Sequence, residues 1–72
     1  MAQLDTKQYD ALERAIIQRT RIAVYRRGTE FVVVPTSLTL RDGREVIHAT
    51  HPTTGDSLAL FLDELDAFEV VR

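Results

Sequence analysis

Two histidines lie three residues apart in the stretch VIHATHPTTGDS, residues 46–57, beside Thr53, Thr54, Asp56 and Ser57. Imidazole, carboxylate and hydroxyl groups are the material of metal sites and of nucleophilic catalysis, so their spacing decides what they are able to do. On an extended strand, residues an odd number apart face opposite sides, which works against His48 and His51 sharing an ion. Zinc takes at least three protein ligands even in an open catalytic site, and no third nitrogen or sulfur ligand is supplied. A Ser57 or Thr53 nucleophile with His51 and Asp56 would need a rigid concave frame, which sequence proximity does not provide. Turn chemistry explains the segment more simply: Pro52 fixes φ, Gly55 permits a left-handed residue, and Thr54, Asp56 and Ser57 bond to local backbone. The expectation is a turn, with no catalytic, cofactor or metal site, and a protein that is not an enzyme.

Charge is distributed unevenly behind a formal net charge of −2. Residues 14–27 carry Arg14, Arg19, Arg21, Arg26 and Arg27 and no acid, whereas residues 56–69 carry Asp56, Asp63, Glu64, Asp66 and Glu69 and no base. Arginine outnumbers lysine eight to one, and its planar fork suits phosphate or carboxylate better than an ammonium does. Arg19 and Arg21 fall at a helix-to-strand junction, Arg26 and Arg27 at a first hairpin, and Arg41 and Arg44 on either side of a second turn. Groups of this kind brought together make an anion-binding surface for the phosphates of single-stranded nucleic acid or a nucleotide. Tyr9, Phe31, Phe61 and Phe68 are assigned to the core and only Tyr25 to the surface, which favours backbone contacts over base stacking. The acidic run LDELDAFE lacks the alternating pattern and glycine of a calcium loop. Asp63, Glu64, Asp66 and Glu69 read instead as a surface for a basic protein partner.

The elements that must position these groups are legible from periodicity. In LDTKQYDALERAIIQRT, Asp5 caps, Gln8 closes a capping box and Leu4 staples to Tyr9. Tyr9, Leu12 and Ile16 then give one apolar face, so a helix is predicted over about 6–19. From Thr20 onward the period is two. Gly28 and the Asp42-Gly43 pair mark hairpin turns, and Pro35, which cannot donate to a ladder, marks an edge, a bulge or a bend. The pattern predicts one helix and about five short strands over about 21–72, a mainly β fold. Such strands bury most by curling into a small five-stranded Sm-like or SH3-like barrel with the N-terminal helix over one end.

Seventy-two residues are read as a single domain, 1–72, burying only about 60% of its unfolded surface. The chain has no cysteine, which excludes disulfide staples and thiolate metal sites. No apolar run approaches the roughly 20 residues that span a bilayer, and MAQLDTKQYD has neither the basic nor the apolar region of a signal peptide. A cytoplasmic protein with no membrane partner is expected. Exposed edge strands leave room for a homo-oligomer.

From Ala15 to Val71 the chain resembles the WYL domain, an Sm-like barrel found mostly as the ligand-sensing part of bacterial transcription regulators. The matching residues are Ala15-Ile16, Tyr25, Val33 with Pro35 and Leu38, the Asp42-Gly43 turn, Ala49, Gly55, Leu62-Asp63 and Phe68-Glu69-Val70-Val71. Glu45-Val46-Ile47 stands where the namesake Trp-Tyr-Leu would fall, and Glu64 where an arginine would follow the leucine-aspartate pair. The resemblance implies a non-enzymatic, transcription-linked regulatory module binding nucleic acid or a nucleotide. The chain is also similar to the Rof family of Rho inhibitors, through Tyr9-Asp10, Leu12-Glu13, Gly28 and Leu62-Asp63. That second resemblance implies an inhibitor or adaptor that presents acids to a basic protein.

Overall fold

The computed structural model describes residues 4–71; residues 1–3 of the expected domain and Arg72 of its strand region lie outside them. Helix α1 spans Thr6–Gln18, followed by strands β1 (Ile22–Arg26), β2 (Thr29–Arg41), β3 (Arg44–Thr50), β4 (Ser57–Phe61) and β5 (Ala67–Val70). A 3₁₀ turn, Leu62–Glu64, separates β4 from β5. All five strands form one antiparallel sheet in the order β4-β3-β2-β1-β5.

The helix begins where its sequence directs. Asp5 accepts from the Gln8 amide at 2.8 Å, and the Gln8 side chain accepts from the Asp5 amide at 3.0 Å, a complete capping box. The helix ends one residue earlier than the periodicity suggests. Arg19 turns left-handed (φ 53°), and the Thr20 amide reaches back to the Ala15 carbonyl at 2.9 Å, the wrap-around bond that satisfies a helix end. Leu12 and Ala15 face a core shared with Leu4, Ile22, Val24, Val33, Ile47, Ala49, Leu60, Leu62 and Leu65, with Tyr9 and Ile16 packed beside it. Leu12 is fully buried, and its truncation to alanine carries the usual core penalty of about 2–5 kcal/mol.

Strand β2 does two jobs because it bends. Residues 29–33 pair with β1, whereas Val34 to Arg41 pair with β3, and the register slips between Pro35 and Ser37. Thr36 is the extra residue of this bulge, and its hydroxyl donates to the His48 carbonyl at 3.1 Å. The proline therefore marks a bulge within a continuous strand. Strand β1 sits between β2 and β5, and Ala23 is buried along with Ile22 and Val24, so strict in–out alternation fails over its first three residues.

The segment after β3 folds as a turn. The His51 amide donates to the Asp56 carbonyl and the Gly55 amide to the His51 carbonyl, both at 2.9 Å, while Thr54 Oγ1 accepts from the Asp56 amide at 3.2 Å. Among the described residues, no helix is long and apolar enough to cross a membrane.

Candidate functional site

The two hairpin turns have nearly the same backbone. Arg27 and Gly28 lie at φ 51° and 77°, Asp42 and Gly43 at 52° and 77°, which is the paired positive φ of a two-residue type I′ turn. Such a turn fixes register, setting Arg26 opposite Thr29. Phe31, two residues beyond Thr29, then shares their face of the hairpin. The Arg26 guanidinium accordingly lies over the Phe31 ring, 5.5 Å from its centre.

These residues open one side of a groove of about 630 Å³ lined by Arg26, Arg27, Thr29, Phe31, His51, Leu58 and Glu64. Phe31 and Leu58, both half-buried, supply its apolar surface; Arg27, Thr29 and His51 are exposed. Arg27 is held at the turn tip by its amide, which donates to Asp66 Oδ2 at 3.1 Å, leaving the guanidinium outside that contact. A left-handed arginine costs about 1–2 kcal/mol relative to glycine or a comparable permissive residue, so the cation occupies this position against backbone preference.

Glu64, a carboxylate in the lining of the groove, is bonded by an arginine outside that lining. Arg44 donates from Nε and Nη2 to the two oxygens of Asp63 at 2.8 and 2.7 Å, and from Nη2 to Glu64 Oε2 at 3.3 Å. Its guanidinium also stacks 3.9 Å from the centre of the Phe61 ring. Hydrogen bonding from Arg44 lowers the Asp63 carboxyl below its ordinary range, and the same bond raises the Arg44 pKa further.

Of the six arginines singled out in the sequence, two line the groove. Arg26 and Arg27 line the groove, Arg44 meets it through Glu64, and Arg19, Arg21 and Arg41 are not among its lining residues. Arg21 and Arg26 stand at opposite ends of β1, separated by roughly 16 Å of strand. The four acids each have a partner inside the chain: Asp63 and Glu64 bond Arg44, Asp66 accepts from the Arg27 amide, and Glu69 Oε1 accepts from the Tyr25 hydroxyl at 3.1 Å. Tyr25 also faces Glu30 across the hairpin, and Glu30, then Glu69, push its phenol up to about 12.

The two histidines have different surroundings, His48 within β3 and His51 in the turn that follows it. His48 Nε2 bonds Thr39 Oγ1 at 2.9 Å on the sheet surface, whereas His51 lines the groove. Glu45-Val46-Ile47 is structural: Val46 and Ile47 are buried, and Glu45 Oε1 accepts from the Tyr9 hydroxyl, tying α1 to β3. Thr29, Phe31 and Leu58 are the groove residues that residue type alone does not single out. For Thr29 and Phe31 the signal was present, since reading Arg27-Gly28 as a two-residue turn places both on the face of Arg26.

Compared with protein-family models and with curated proteins, the chain matches none of either.

Proposed function

We propose that this chain is a cytoplasmic, non-enzymatic regulatory module of WYL-like, transcription-linked type, and that it binds the phosphates of single-stranded nucleic acid or a nucleotide in the Arg26–Arg27 groove. The strand order, the bend in β2 and the 3₁₀ turn between β4 and β5 favour closure of the sheet as a small Sm-like or SH3-like barrel. The observation that carries the functional reading is the grouping of Arg26, Arg27, Thr29 and His51 around Phe31 and Leu58, with Glu64 bonded by Arg44. Arginine forks and a hydroxyl are phosphate donors, and Phe31 and Leu58 give the groove its apolar wall.

The groove reading predicts that labelled oligo(U) binds at low ionic strength and weakens as salt rises, because neutralised phosphates release counterions. Free nucleotides added as competitors separate the two ligand sources: displacement by a mononucleotide indicates a single-nucleotide site, and displacement only by longer strands indicates a strand-binding one. No binding of either at low salt would sink the reading. A Rof-like interaction through Asp63, Glu64, Asp66 and Glu69 is less favoured, because all four already have intramolecular partners. It requires capture of a basic protein that is lost on Asp63→Lys/Glu64→Lys reversal.

A further inference from the structure

Glu64 is shared by two neighbourhoods that otherwise have opposite character. It lines the groove with Arg26, Arg27 and His51, and it accepts from Arg44, which is itself fixed by two bonds to Asp63 and by the Phe61 ring. A carboxylate in a groove of cations is the natural intramolecular competitor of a phosphate. Released from Arg44, it would be free to turn toward the guanidinium groups that a ligand needs.

We propose that Arg44 is a positioning residue, which holds the Glu64 carboxylate to itself so that the Arg26–Arg27 groove stays open to phosphate. This rests on the phosphate-binding reading of the groove and gives Arg44 a different part from that of a ligand contact. The triplet Arg44, Asp63 and Glu64 has formal charge −1, and loss of Arg44 makes it −2 while freeing the acid that lines the groove. Asp63 does not line the groove, so its removal and that of Glu64 are equivalent in charge and different in position.

That difference supplies the test. Arg44→Gln weakens oligo(U) binding roughly fivefold, the scale of one surface charge interaction. Adding Glu64→Gln restores affinity to about the wild-type value, whereas adding Asp63→Asn, which restores the same formal charge, leaves it weak. Glu64→Gln alone keeps the Arg44–Asp63 pair and binds within about twofold of wild type, because Arg44 already holds that acid off. Recovery by Asp63→Asn equal to that by Glu64→Gln would reduce the effect to net charge and overturn the proposal. A double variant Arg44→Gln/Glu64→Gln as weak as Arg44→Gln would make Arg44 a direct contact and also overturn it. Thermal melts accompany each titration; if Arg44→Gln is unfolded, Glu64→Gln decides: binding near the wild-type value is expected, and binding tighter by about fivefold or more would show that Glu64 competes even while bonded to Arg44 and would overturn the proposal. Failure of the groove reading is distinct, since there oligo(U) binding would be absent or indifferent to Arg26 and Arg27.

Discussion

The β1–β2 and β2–β3 hairpins share a turn geometry to within a degree at both positive-φ positions, yet their arginines have opposite fates. At β2–β3, Arg44 meets the 3₁₀ turn and is bonded by two acids over an aromatic ring. At β1–β2, Arg27 contributes only its backbone amide to Asp66, and Arg26 rests beside Phe31 at the edge of the groove. Local backbone chemistry is therefore not what separates a structural arginine from an available one. The difference lies in which distant segment packs against each turn.

Charge reversal should expose this contrast most strongly. Arg26→Glu/Arg27→Glu is expected to reduce oligo(U) affinity about 100-fold or more, by removing two cations and adding two anions, while Arg41→Glu changes it by less than about threefold. Equal losses from both hairpins in anisotropy titrations would erase the distinction. A gentler comparison replaces the first residue of each turn by glycine. Arg27→Gly relieves a left-handed arginine, so it lowers affinity roughly fivefold without lowering the melting temperature. Asp42→Gly leaves binding where it was. A drop in the Arg27→Gly melting temperature would show that the arginine is there for stability.

For Arg44 the expected effect is structural. Arg44→Ala should lower the melting temperature by a few degrees at neutral pH, a modest figure because the Arg44 and Asp63 side chains are each 42% exposed and their pairing is screened. Arg44 depresses the Asp63 pKa below its ordinary 3.8. A carboxyl lowered on folding stabilises above its unfolded pKa and loses that contribution as pH falls through the folded value. The wild-type advantage over Arg44→Ala is thus full at neutral pH and shrinks below pH 3.8; an advantage independent of pH would point to the Phe61 contact alone. The smallest effect belongs to Tyr25→Phe. The Tyr25 phenol is raised from 10.0 to about 12, so its stabilisation is complete below 10, fades as pH rises through about 12, and is absent from the variant. Ultraviolet titration of the phenolate in wild type and variant reads this directly.

How much of this was legible in the sequence follows the range of the interactions. The capping box, the glycine turns and the change of period at Thr20 are written within a few neighbouring residues, and α1 and the five strands follow from them. Pro35 announced a departure from a regular strand, but choosing the bulge at Thr36 required knowing that β2 pairs with β1 before it and β3 after it. The site was less legible because its pairs are distant. Arg44 and Asp63 are 19 residues apart in sequence, and the 3₁₀ turn that brings them together depends on β4 pairing with β3 in a particular register. An arginine count therefore overstates the free cations, and an acid count overstates the free anions.

The most direct test of the groove is the salt dependence of oligo(U) affinity in wild type and in Arg26→Ala/Arg27→Ala. Each phosphate neutralised on a single strand contributes about −0.7 to the slope of log affinity against log salt. Two groove contacts therefore predict that the double variant binds more weakly and that its slope is shallower by about 1.4. An unchanged slope and affinity would place the phosphates elsewhere on the protein and contradict the groove as their site.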